Sequence, residues 1–294
     1  MKVRDEAGHD LRGSPTVRRV LIALLATLAV LVTPASAGAA PDSSAGRATT
    51  WYLALGDSLA AGYQPGVGDD RDGGYVGGVL DALQQDAPKT KLRNLACSGA
   101  TTTSMLGTDR CTYDEGSQVD AAVEFLRAHK AKVDLVTIDI GANDVTPCAR
   151  GTVDVACAIG AVGTVERNLT SILGRLRAAT GPDTQIIVLD YYNPFLAAWL
   201  TGPAGQQVAG LTTVLQGMLN AAVARAATTA DADVADVATA FRSTVTTPVA
   251  TAYGTIPTNV ATICAWTWMC SRGDIHANDA GYAVLAGTVV ARLE

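Results

Sequence analysis

No cluster of lysine and arginine stands anywhere in the 294-residue sequence, whose 22 Lys+Arg are outnumbered by 28 Asp+Glu. Without such a cluster, a net charge of −6 repels phosphate backbones, which excludes a nucleic-acid-binding role. No apolar run reaches the ~20 residues a membrane span needs; the longest is Val20–Val32. A Cys-x-x-Cys pair is absent and histidines number only three, His9, His129 and His276, so metal-ligand chemistry is poorly supplied. There is no internal repeat and no polar linker long enough to divide the chain into two domains.

What is present begins with an export signal. Arg18 and Arg19 precede "VLIALLATLAVLV", and "TPASAGAAP" follows with an Ala-x-Ala pattern at Ala35 and Ala37. A basic start, a short apolar core and small residues at the cleavage point predict a signal peptide over residues 1–37. Cleavage near Ala40 is an alternative, and the paired arginines leave a twin-arginine route open. Residues 38–48 then read as a loose tail and 49–294 as one domain, secreted to the extracellular medium and, as an expectation, monomeric. The leader holds Lys2, Arg4, Arg12, Arg18 and Arg19 against Asp5, Glu6 and Asp10, so removing its +2 from −6 leaves −8.

All six cysteines lie beyond the leader: Cys97, Cys111, Cys148, Cys157, Cys264 and Cys270. An even count in an exported chain implies disulfides, and six allow 15 pairings. Short intervening loops favour 97–111, 148–157 and 264–270, each contributing on the order of 2–3 kcal/mol through chain entropy.

Along the domain, apolar runs of strand length alternate with longer helical patterns. "ATTWYLAL", "KLRNLAC", "VDLVTIDIG", "TQIIVLDYYNP" and "ADVADV" read as strands. "YVGGVLDALQQD", "QVDAAVEFLRAHK", "AIGAVGTVERNLTSILGRLRAA", "GQQVAGLTTVLQGMLNAAVARAA" and "NDAGYAVLAGTVVARL" read as helices, the third stopping at Gly181-Pro182. This alternation predicts an α/β protein with a parallel sheet covered on both faces. The stretch from Thr244 to Cys270 is expected to be irregular.

Ligands of such sheets gather outside the carboxyl ends of the strands. Ser58 follows the first strand, Gly99 the second and Asn143 the third, while His276 precedes the last helix. A serine needs a base to become a nucleophile, and His276 is the histidine at that face. His129, at a helix carboxyl end, reads as a solvated residue favoured by the helix dipole. Gly99 leaves its N–H open to approach, Asn143 offers a neutral amide donor, and the Ser58 N–H is a third candidate for holding an oxyanion. Singly, each has a structural explanation: a helix cap, a tight turn, a turn asparagine, a helix-start histidine.

Together, "GDSLAAGY", "NLACSGATT", "IGANDV" and "DIHANDAGY" resemble, in order and register, the four motif blocks of the SGNH branch of the GDSL esterase/lipase hydrolases. The resemblance spans about Leu53 to Tyr282. It implies a three-layer α/β/α sandwich with a parallel flavodoxin-like sheet and no metal or organic cofactor. It also implies Ser58 as nucleophile, His276 as base, and Gly99 and Asn143 completing the oxyanion hole. "GDSLA" superficially approaches the G-x-S-x-G elbow of α/β-hydrolases, but Ala60 replaces the second glycine and no HGGG-type loop is present. One position departs from the SGNH pattern: Gly273 stands where the family commonly has an aspartate three residues before the histidine. Asp274, two residues before, could orient His276 from the same face of an extended segment. It could equally cap the last helix, leaving a carbonyl of residues 271–273 to orient the ring.

The expected activity is hydrolysis of carboxylic esters, lipid or other acyl esters foremost. A carbohydrate acetyl esterase and a non-catalytic exported binding protein on the same fold are the alternatives. Among neighbouring residues, Trp266 and Trp268 are expected to pack the last disulfide loop rather than wall a groove, and "YYNPF" (Tyr191–Phe195) to line the cleft or pack beside it. Asp57 and Asp144 are expected to bond backbone, and Asn168-Leu169-Thr170 matches a glycosylation sequon.

Overall fold

The computed structural model describes residues 49–108, 110–149 and 153–294. The predicted leader and tail lie outside them.

Five strands form the central sheet: β1 (Trp51–Gly56), β2 (Lys91–Asn94), β3 (Val133–Asp139), β4 (Gln185–Leu189) and β5 (Asp233–Ala235). Every pairing is parallel and the order is β2-β1-β3-β4-β5. That is the flavodoxin-like doubly wound order, with its switch point between β1 and β3. The helices are α1 (Gly74–Asp86), α2 (Thr102–Leu106), α3 (Gln118–Ala128), α4 (Ala142–Val145), α5 (Val155–Ala179), α6 (Pro203–Thr229), α7 (Val237–Ala240), α8 (Thr258–Trp266), α9 (Met269–Arg272) and α10 (Asp279–Val290).

Strand alternation divides the core between two faces. Tyr52 and Ala54 of β1 pack with Val76 and Val79 of α1 and Leu285 and Val289 of α10. Leu53 and Leu55 point the other way, against Val119 and Leu126 of α3 and Leu169, Ile172 and Leu176 of α5. The three-layer α/β/α fold expected from sequence is therefore the fold observed. α5 buries Val162, Val165, Leu169, Ile172, Leu173 and Leu176 at helical spacing. Its start is fixed by Asp154, which accepts the Cys157 N–H at 3.0 Å, and it ends just before Gly181-Pro182. α3 opens on a reciprocal cap between Ser117 and Asp120. Disulfides join Cys97 to Cys111, Cys148 to Cys157 and Cys264 to Cys270, the three short-loop pairs.

Two expectations are corrected. The stretch after Thr244 is ordered: β6 (Pro248–Thr251) and β7 (Gly254–Pro257) form an antiparallel hairpin that leads into α8 and α9. Prolines at both ends disguise the pair as loop, yet Pro248 and Pro257 sit opposite each other at its open end, where a missing N–H is tolerated. His129 is half-buried rather than solvated. Its ring stacks on Phe125 at 4.3 Å and meets Trp51 at 5.4 Å, with Nδ1 2.9 Å from the Phe125 carbonyl.

Candidate active site

β1 and β3 end side by side, and the chain leaves β1 through a glycine that cannot be replaced without strain. Gly56 has φ +142°, and a Cβ there would lie 2.5 Å from the Asp139 carbonyl oxygen. This tight exit places Asp57 and Ser58 immediately over the switch point. Asp57 accepts the Leu59 N–H at 3.0 Å and the Tyr191 hydroxyl at 3.3 Å, which pins the turn. Ser58 is almost buried, with its hydroxyl on the cleft.

His276 comes from the segment between α9 and α10. Gly273 ends α9 in the left-handed region at φ +66°, the usual helix stop for glycine. Asn278 caps α10 by accepting the Gly281 N–H at 3.1 Å. Asp274 is thus free of the capping role that sequence had left open to it. Its Oδ1 lies 2.7 Å from His276 Nδ1 and accepts the His276 backbone N–H at 2.9 Å. His276 Nε2 in turn lies 2.7 Å from Ser58 Oγ. A carboxylate on Nδ1 fixes the proton there, so Nε2 presents a lone pair to the serine hydroxyl. The Tyr192 hydroxyl donates to the Ile275 carbonyl at 2.8 Å, and the Tyr63 ring sits 4.5 Å from the imidazole, holding the loop from two sides.

Gly99 adopts φ +76°. Among the described residues, neither its N–H nor that of Ser58 has an acceptor. Asn143 Nδ2 spends one hydrogen on the Ala100 carbonyl at 2.9 Å, which aims the amide and leaves the second hydrogen available. Asp144 bonds the N–H and hydroxyl of Thr102 at 2.8 and 2.7 Å, tying the Asn143 turn to the segment after Gly99. Asn168 lies within α5, not in a loop, and its amide donates to the Thr102 and Thr103 hydroxyls. The four residues singled out by sequence are therefore gathered in one place.

The cleft has two limbs that share Ser58, Asn143 and His276. One limb is apolar, walled by Leu59, Val145, Phe195, Leu215 and Leu219; the residues Tyr191–Phe195 all line it. The other, the more polar and more open limb, is walled by Tyr63, Ser98, Arg110 and Asp274 together with Met269 and Ile275. Trp266 and Trp268 line neither limb. Trp266 meets Phe241 edge-on at 5.3 Å, and Trp268 donates its indole N–H to Gln64 at 2.5 Å.

Beneath the serine lies a group that sequence reading missed. Asp139, fully buried at the end of β3, accepts the Tyr75 hydroxyl at 2.7 Å and the Asp57 N–H at 3.3 Å. Burial pushes its carboxyl well above the usual range, the Asp57 charge pushes it further, and the two carboxyls hydrogen-bond to one another. Two adjacent buried carboxyls cannot both ionise cheaply, so Asp139 holds the proton and donates it to Asp57. Burial also raises the Asp57 carboxyl, against its hydrogen bonds and the nearby His276.

The family model described as GDSL-like Lipase/Acylhydrolase matches residues 54–284. Among solved structures, the lipase Lip_vut3 from a goat rumen metagenome is 20% identical, with a TM-score of 0.56, covering 84% of this chain and 100% of its own. A Parabacteroides merdae protein described as a GDSL-like lipase is 16% identical, with a TM-score of 0.53 and coverages of 82% and 93%. At such identities the likeness speaks for the fold. No curated protein sequence matches the chain.

Proposed function

Since the chain belongs to the GDSL-like lipase/acylhydrolase family, whose members act on esters, we propose that it is a secreted hydrolase of carboxylic esters working through an acyl-enzyme on Ser58. The observation that carries this reading is the continuous line Asp274–His276–Ser58, 2.7 Å at each step, beside the Ser58 and Gly99 N–H groups, which have no acceptor among the described residues.

The Ser58 hydroxyl passes its proton to His276 Nε2 as Oγ bonds to the ester carbonyl carbon. The carbonyl oxygen becomes an oxyanion, held by the N–H groups of Ser58 and Gly99 and the Asn143 amide. Asp274 stabilises the imidazolium and keeps it oriented. As the tetrahedral centre collapses, His276 protonates the departing alcohol. Water then attacks the acyl carbon as His276 takes its proton; the Ser58 Oγ–C bond breaks, the carboxylic acid leaves, and His276 returns the proton to Ser58 Oγ. The apolar limb suits the acyl chain, since its walls are aliphatic and aromatic, which favours acyl esters beyond acetate over acetylated sugars. No helix among the described residues is long and apolar enough to cross a membrane, and the three disulfides fit export to an oxidising compartment.

A fluorophosphonate probe tests the reading directly. The purified protein should label, Ser58→Ala should not, and a panel of p-nitrophenyl esters should show turnover that Ser58→Ala and His276→Ala abolish. Equal labelling of the wild type and Ser58→Ala would transfer support to the binding-protein alternative. Turnover of acetyl esters alone would favour the carbohydrate esterase.

A further inference from the structure

The Cys97–Cys111 bridge brings together two residues that lie apart in sequence. Gly99 stands two residues after Cys97 and Arg110 one residue before Cys111, so the disulfide folds the arginine back onto the glycine. The fit is close: a Cβ built on Gly99 would lie 2.1 Å from Arg110 Nη2. The guanidinium thus occupies the space that a side chain at position 99 would fill. Arg110 Nε donates to the Ser98 carbonyl at 3.0 Å, fixing one edge of the fork. Among the described residues, its Nη groups have no acceptor and no carboxylate lies within ion-pair distance. Of the acids nearby, Asp69 accepts the Ser98 hydroxyl at 2.5 Å and Asp274 is engaged by His276. Arg110 is therefore a cation on the wall of the polar limb that pairs with neither of these acids.

We propose that Arg110 forms an anion subsite, and that the preferred ester carries a phosphate on its alcohol half. The proposal rests on the ester-hydrolase reading of the same cleft. With the acyl chain in the apolar limb, the alcohol half falls in the polar limb, where Arg110 stands beside Gly99. A guanidinium whose Nη donors have no acceptor among the described residues matches two phosphate oxygens at once. The neighbouring acids Asp69 and Asp274 oppose anions in general, so the recognition depends on this one contact. A phosphoglyceride headgroup and a small acylated alcohol phosphate present the same group.

The test compares the catalytic efficiency, kcat/KM, on matched substrates. Butanoylglycerol phosphate is set against butanoylglycerol, and didecanoyl phosphatidate vesicles against didecanoylglycerol dispersions, in the wild type, Arg110→Gln and Arg110→Lys. The phosphate-to-neutral ratio is expected to fall about tenfold in Arg110→Gln, chiefly through weaker substrate binding, the low end for a charge-assisted contact exposed to solvent. Arg110→Lys should keep part of the preference. Raising the salt from low to several hundred millimolar should erode it in the wild type. A loss confined to the vesicle arm identifies the source as a lipid headgroup, and a loss confined to the soluble arm identifies a small phosphate ester. An unchanged ratio in both arms for Arg110→Gln, with its thermal midpoint unaltered, overturns the subsite while leaving the ester hydrolase standing. Absence of both turnover and fluorophosphonate labelling in the wild type would instead remove the hydrolase reading, and this proposal with it.

Discussion

At the scale of the residue, the proton path depends on which atom faces His276 Nδ1. The family pattern puts an aspartate at the position held here by Gly273, and sequence alone leaves Asp274 balanced against a backbone carbonyl. The structure removes the competing demand, because Asn278 caps α10 and Asp274 Oδ1 reaches Nδ1 at 2.7 Å. Replacement by an amide offers a donor as readily as an acceptor, which weakens the preference for the productive tautomer and removes the charge opposing the imidazolium. Asp274→Asn is therefore expected to lower kcat by on the order of 10²–10⁴-fold with little change in KM, read from steady-state kinetics on a soluble ester. Retention of nearly full activity would show that a carbonyl suffices.

At the scale of the element, local signals decide how well each piece can be foreseen. α5 was legible because its buried positions recur at helical spacing and Gly181-Pro182 stops it; only its first turn, Val155–Cys157, lies ahead of the helix read from sequence. That turn depends on Asp154, whose carboxylate accepts the Cys157 N–H. Asp154→Ala should cost about 1 kcal/mol of stability, measured as a lower urea midpoint at unchanged slope; no shift would mean that the adjoining Cys148–Cys157 bridge fixes the turn alone. The β6–β7 hairpin was not legible, because it is short, bounded by prolines and apart from the main sheet. Arg110 was equally silent. Nothing local distinguishes an arginine in a loop, and its meaning comes from a disulfide that places it on Gly99.

At the scale of the whole molecule, the strand-end rule gathered Ser58, Gly99, Asn143 and His276 from residues spread over most of the domain, because a doubly wound sheet brings all its carboxyl ends to one edge. The same rule is blind to depth, and so it missed Asp139, which reads as one polar residue in "VTIDIG" but lies fully buried beneath the nucleophile. Its consequence is global. Asp139 keeps its proton in the folded protein well above the ordinary carboxylate range, and burial pushes Asp190 up to about 6. In the unfolded chain both ionise near the usual value. Between that value and the raised one, the folded state binds more protons, so unfolding free energy falls as pH rises. Asp120 and Glu166 act in the opposite sense, since Arg175 and Arg225 lower them, but these surface pairs contribute little. Stability should accordingly decline as pH rises above the ordinary carboxylate range, with Asp190 contributing its share by about pH 6 and the raised Asp139 carboxyl acting in the same sense. Asp139→Asn preserves a neutral donor toward Asp57 and removes the titration. Urea midpoints measured from pH 5 to pH 8 should therefore fall less steeply in Asp139→Asn than in the wild type, and an identical slope in the two proteins would place the proton elsewhere.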